Sequence, residues 1–154
     1  MQTPEIRPAE QAELEAISRL EREIFSFPWQ LSDFERMCKS DDKMLLCAVL
    51  GGACLGYIGL YILPDGAEIM TLAVEPDARG HGVGTLLVSE AMRRLPCRGV
   101  QTVFLEVRVG NTAARALYEH CGFVLCGMRR GYYKEPAEDA ALYRLDFPKG
   151  KAGA

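Results

Sequence analysis

From Leu72 to Leu87 the chain reads Leu-Ala-Val-Glu-Pro-Asp-Ala-Arg-Gly-His-Gly-Val-Gly-Thr-Leu-Leu, and no other stretch limits its possible folds so tightly. The apolar run Leu72-Ala73-Val74 suits a buried strand, Pro76 ends it, three alternating glycines turn the chain, and a Leu- and Val-rich helix follows. Gly80, Gly82 and Gly84 carry no Cβ, so successive backbone N–H groups can converge on an anion, with the partial positive charge of a helix N-terminus behind them. The even glycine spacing, with no Lys-Ser or Lys-Thr pair after it, separates the stretch from the common nucleotide loops. Taken alone it suits either a pyrophosphate cradle or a tight structural turn.

The rest of the chain has the makeup of an ordinary water-soluble protein. Of 154 residues, 49% are hydrophobic and 25% charged, enough for one domain with a sizeable core, expected over residues 1–148 with a disordered tail over 149–154. A net charge of −3 argues against a nucleic-acid binder and suits a basic protein or peptide partner. Met1 to Gln11 lacks the apolar segment of a secretory signal. The six cysteines form no C-x-x-C pair and the two histidines lack metal spacing, so reduced thiols, no metal and a cytoplasmic location are expected. Met44 to Leu63 is free of charge and contains Gly52-x-x-x-Gly56, but Gly51-Gly52 at its middle predicts a hairpin of two buried strands rather than a membrane helix.

Along the chain, Glu5-Ile6-Arg7 suits a short edge strand, and Leu14, Ile17, Leu20 and Ile24 mark an amphipathic helix from Ala9 to Phe25. Ser32-x-x-Glu35 has the pattern of a capping box opening a helix through Cys38. Strands are expected near Met44 to Leu50, Cys54 to Leu63, Ala67 to Val74, Thr102 to Val107, Phe123 to Gly131 and Ala140 to Phe147. Helices are expected from Val83 to Leu95 and from Thr112 to Cys121, the latter N-capped by Asn111 and closed by Gly122. Strands at both ends with helices between them give a mixed α/β sheet.

Arg-Gly-x-Gly-x-Gly, then Leu105-Glu106-Val107-Arg108, then Asn111-x-x-Ala114-x-x-Leu117-Tyr118-x-x-x-Gly122-Phe123, resembles the GCN5-related N-acetyltransferase (GNAT) superfamily over roughly residues 5–147. Glu-Val-Arg with Tyr132-Tyr133 and Glu138-Asp139-Ala140 is most similar to its RimI group, which acetylates the N-terminal alanine of a small-subunit ribosomal protein. The resemblance implies a mixed, mostly antiparallel sheet flanked by about four helices, with acetyl coenzyme A as cosubstrate. It also implies a protein N-terminus as partner, direct transfer in a ternary complex, no direct nucleic-acid or membrane partner, and a monomer or weak dimer.

Acetyl transfer from a thioester to an amine needs a neutral amine, a stabilised oxyanion and a proton for the departing thiolate. An α-amine of pKa about 7.8 costs only about 1 kcal/mol to deprotonate at pH 7, against about 4.6 kcal/mol for a lysine. A carboxylate of ordinary basicity therefore suffices for an N-terminal substrate. Glu106, set among Phe104, Leu105 and Val107, either lines a cleft or is turned by strand alternation to solvent or to Arg108. The resemblance makes it the base, with Glu68 in reserve. Tyr118, a core residue by pattern alone, is by resemblance the general acid, its phenol able to protonate a thiolate.

By resemblance also, Leu72, Ala73 and Val74 flank the acetyl-pantetheine arm, and Arg79, Gly80, His81, Gly82, Val83, Gly84 and Thr85 hold the pyrophosphate. Asn111 and Tyr118 touch the cosubstrate as well. Tyr132 and Tyr133 resemble a tyrosine pair that clamps peptide backbone, or occupy the two faces of a strand end. Phe27, Pro28 and Trp29 wall a peptide groove or join the core. Glu138 and Asp139 attract a basic peptide residue or solvate a loop. The same fold acting on a small-molecule amine or a lysine side chain, and an acyl-CoA-binding module without turnover, are the alternatives.

Overall fold

The computed structural model describes residues 2–149, so the expected tail, apart from Lys149, lies outside the described residues. Seven strands form one sheet, β1 (Glu5–Pro8), β2 (Lys43–Leu50), β3 (Ala53–Ile62), β4 (Gly66–Val74), β5 (Thr102–Arg108), β6 (Val124–Tyr133) and β7 (Glu138–Asp146). Their spatial order is β1-β2-β3-β4-β5-β7-β6, antiparallel throughout except for the parallel pair β4/β5. Four α-helices flank it: α1 (Gln11–Ile24), α2 (Leu31–Cys38), α3 (Val83–Arg94) and α4 (Thr112–His120).

The helices divide between the two faces as strand alternation requires. Leu14, Ile17 and Leu20 of α1 and Phe34 and Met37 of α2 pack with Leu45, Cys47, Tyr57 and Ala73 on one face. Val83, Leu87, Val88 and Ala91 of α3 and Tyr118 of α4 pack with Leu46, Ile58, Ile69, Leu105 and Val107 on the other. Each fully buried Leu, Ile or Phe contributes about 1.5–3 kcal/mol to holding these layers. The uncharged stretch from Met44 is the β2/β3 hairpin, turned by Gly51 and Gly52 at φ +59° and +80°, conformations that glycine adopts without strain.

The expected opening of α2 moves. The box that opens α2 is Gln30 with Asp33, not Ser32 with Glu35: the Gln30 N–H donates to Asp33 Oδ2 at 2.8 Å. Beginning the helix at Leu31 lets that side chain pack against the α1 layer, which outweighs the poorer capping propensity of Gln.

Two irregularities in the centre of the sheet open a cleft there. The β4/β5 ladder runs from Gly66 opposite Thr102 to Ile69 opposite Leu105 and stops at that pair, although both strands continue. On the other side of β4 the register with β3 jumps, Gly59 pairing with Thr71 and Leu60 with Ile69, so Met70 is a β-bulge. Without that extra residue Thr71 would share a face with Ile69. With it, Glu68 and Thr71 both point to the α1/α2 face.

Candidate active site

The parted ends of β4 and β5 line the cleft, and the two strands send different groups toward it. On β5, Val103, Leu105 and Val107 are buried against α3 and α4, so alternation turns Glu106 to the opposite face. Glu68, opposite Phe104 in the register, stands on that same face. The Glu106 side chain is 18% exposed; among the described residues its Oε2 is buried with no hydrogen-bond partner, and its Oε1 lies 3.9 Å from Arg129 Nη1. The alternative partner Arg108 is engaged elsewhere. Burial, and then the like charge of Glu106, raise the Glu68 carboxyl above its ordinary range.

Arg108 closes the far side. Its guanidinium donates to the carbonyls of Pro136 at 2.8 Å and Lys134 at 3.0 Å, pairs with Glu138 at 3.2 Å and lies 4.6 Å from the Tyr133 ring centre. It therefore braces the β6/β7 hairpin over the cleft. Glu138 and Asp139 serve the same end: Glu138 Oε2 accepts from the Gly110 N–H at 2.5 Å and Asp139 Oδ1 from the Gly131 N–H at 2.8 Å. Both are tied within the fold rather than held out to attract a peptide.

Tyr132 and Tyr133 do not occupy opposite faces. The β6/β7 register breaks between Arg129 and Tyr133, and the two rings meet edge to face, centres 5.0 Å apart. Burial, and then Glu106, raise the Tyr133 phenol to about 12, while its approach to the Glu106 carboxylate raises Tyr132. Across from them, Ser26 Oγ donates to the Glu135 carbonyl at 3.2 Å, so the loop between α1 and α2 touches the β6/β7 hairpin. Phe27 in that loop is 65% exposed, whereas Trp29 leaves the groove edge for the core margin, stacked at 5.8 Å on Tyr61 and tilted against Phe34.

Tyr118 of α4 is buried in the α3/α4 layer, edge-to-face on Phe123 with centroids 5.7 Å apart. Burial pushes its phenol well up, with Cys121 and Tyr133 adding to the effect, so it is protonated at neutral pH. Asn111 is the N-cap, its Oδ1 accepting from the Ala114 N–H at 3.1 Å.

At the other mouth of the cleft, Gly80 and Gly82 take φ +82° and +80° with open space where a Cβ would stand. Gly82 is the N-cap of α3; no side chain caps that turn and no acid lies in it, so its first amides face outward. Val83 is buried, leaving only its backbone for a ligand, and Gly84 packs on Leu117, where a Cβ would come within 2.6 Å of Cδ1. Arg79 folds back, its Nε donating to the Val74 carbonyl at 3.1 Å, while His81 is exposed and Thr85 half-buried. Leu72 and Val74 are half-buried on the α3 face, but Ala73 is buried on the α1 face and offers the cleft backbone only. An outward-facing amide turn with room for oxygens fits a diphosphate.

Glu21 and Arg129 are the residues around the cleft that no sequence pattern singles out, whereas Arg108 stands in the Leu-Glu-Val-Arg motif as an alternative partner of Glu106. Glu21 carried a signal nonetheless, as a charged residue on the stripe set by Leu14 and Ile17. Among the described residues no helix is long and apolar enough to cross a membrane, and no group of His, Cys, Asp and Glu is disposed to hold a metal ion.

Residues 14–123 match a family model described as Acetyltransferase (GNAT) family. The N-alpha-acetyltransferase RimI of Mycobacterium tuberculosis is 36% identical over 141 residues, covering 88% of this chain and 87% of that protein. The ribosomal-protein-S18-alanine N-acetyltransferase of Escherichia coli, a crystal structure, superposes with a TM-score of 0.83 at 30% identity over 95% of this chain and 97% of that one. The Arabidopsis thaliana NAA60 structure in complex with acetyl-CoA, at 22% identity and a TM-score of 0.82, covers 94% and 99% and shares the fold.

Proposed function

The chain belongs to the acetyltransferase (GNAT) family and is an N-acetyltransferase, and from that premise we propose that it acetylates the α-amine of an N-terminal alanine on a small-subunit ribosomal protein, as the name of the Escherichia coli relative states for that enzyme's ribosomal protein S18. The single observation that carries the reading is the unpartnered Oε2 of Glu106 where β4 and β5 part. A buried carboxylate oxygen with no donor is costly unless something else supplies one, and an incoming ammonium does.

Bound acetyl-CoA supplies the thioester and its acetyl group. The Gly80 to Thr85 turn and the N-terminus of α3 hold the diphosphate through backbone amides. The ends of β4 and β5, left without each other, give the pantetheine arm backbone groups to pair with. Glu106 takes the proton from the α-amine, which needs only modest basicity. Tyr118, a phenol that is protonated at neutral pH, gives its proton to the departing thiolate. Tyr132, Tyr133 and the exposed Phe27 border the path of the peptide, the hairpin that carries the tyrosines being held there by the Arg108 brace. Transfer is direct, in a ternary complex, and the protein acts in the cytoplasm as a monomer or weak dimer.

The test pairs two peptides with acetyl-CoA: one beginning with alanine, the other with a blocked terminus and an internal lysine. Acetyl is expected on the alanine α-amine alone. Acetyl on the lysine, or on neither, would overturn it.

A further inference from the structure

Glu21 is 3% exposed on the inner face of α1, and its carboxylate is held from three elements. Oε1 accepts from the Tyr57 hydroxyl of β3 at 2.6 Å and the Thr71 hydroxyl of β4 at 2.8 Å; Oε2 accepts from the Trp29 backbone N–H at 3.1 Å. An apolar residue on this stripe would give the helix an equally good or better seat, since burying a carboxylate costs solvation that hydrogen bonds at best return. What the carboxylate adds is a fixed relation between its partners. Thr71 directly follows the Met70 bulge, at the point where β4 leaves β5. Trp29 lies in the α1–α2 loop that meets the β6/β7 hairpin through Ser26.

We propose that Glu21 is a positioning residue: through its two oxygens it locks the loop walling the peptide groove to the strand that presents the acetyl donor. The proposal rests on the acetyltransferase reading of the cleft. Because the two strand hydroxyls share Oε1 and the loop amide alone uses Oε2, the two halves of the lock can be broken separately.

Glu21→Gln keeps an oxygen for Tyr57 and Thr71 but sets its amide N–H against the Trp29 N–H, releasing the loop. Thr71→Val keeps the loop tether and loosens β4. Trp29 is the only tryptophan, so its fluorescence reports the loop without any substrate. Glu21→Gln should raise the peptide KM about tenfold or more, leave the acetyl-CoA Kd within about twofold, and make Trp29 more accessible to acrylamide. Thr71→Val should lower kcat at saturating substrates with Trp29 quenching unchanged. Unchanged Trp29 quenching and peptide KM in Glu21→Gln would overturn the proposal, as would activity lost by both variants only in proportion to the fraction folded by circular dichroism. A wild-type protein inert toward every peptide would instead count against the acetyltransferase reading, while quenching in the two variants still decides the tether.

Discussion

Ile69 of β4 and Leu105 of β5 are the last residues the two central parallel strands share; Met70 to Val74 and Glu106 to Arg108 run on without pairing to each other. A ladder that stops in mid-sheet leaves backbone groups in need of partners, and here it does so beside a bulge and between two packed layers of helices. The rest of the site is arranged around that opening: amide turn at one mouth, carboxylates and tyrosines at the other.

The amide turn depends on glycine at position 82, whose φ of +80° would cost a side chain about 1 kcal/mol and whose surroundings are open. Gly82→Trp should fold, with an unchanged circular dichroism spectrum, yet lose acetyl-CoA binding in calorimetry because the indole covers the first amides of α3. Wild-type affinity in that variant would place the diphosphate elsewhere.

Replacing Glu106 with Gln removes the proton acceptor while keeping size and shape. General-base removal is worth about a hundredfold or more in rate, so kcat should fall by that order with acetyl-CoA affinity preserved. An unaltered rate and pH profile would show that Glu106 is not the base.

Glu68 gives a prediction about stability. Burial, then Glu106, raise its pKa in the folded chain, so the folded state binds the proton more tightly than the unfolded one. The stability this contributes is present in full below the unfolded carboxylate range, at about pH 4, and is lost as pH rises through the folded pKa. Glu68→Gln, which cannot ionise, should therefore lose less stability than wild type between acidic and neutral pH in urea unfolding. Parallel stability curves for the two proteins would rule out the raised carboxyl.

Arg108 carries the hairpin above the cleft through two carbonyls, one carboxylate and one ring. Arg108→Ala should raise the peptide KM about tenfold, equivalent to about 1.4 kcal/mol, with acetyl-CoA affinity little changed. Lys in its place should not restore the wild-type value, because a point charge cannot reach both carbonyls while stacking on Tyr133. Full rescue by Lys would mean that charge alone matters.

Much of this was legible in the sequence wherever the determinant is local. The glycines that turn into α3, the Asn111 cap and the Gly51-Gly52 hairpin each depend on the conformation of a few neighbouring residues, and each stands where the pattern put it. The Met70 bulge leaves no such local mark, because it exists only in the register between β4 and β3. Glu21 finds Thr71 fifty positions away, and Arg108 finds Pro136 beyond helix α4 and strand β6, so their roles are set by topology. Local preference even misled at α2, where Ser32 and Glu35 form the better box on paper and the packing of Leu31 selected Gln30 and Asp33.

The most direct measurement is the mass spectrum of small-subunit ribosomal protein N-termini from cells that lack this chain. An alanine-initiated terminus acetylated in the parent should appear unmodified, regaining its acetyl group when the wild-type chain is restored and not when Glu106→Gln is. Termini identical with and without the chain would contradict the account.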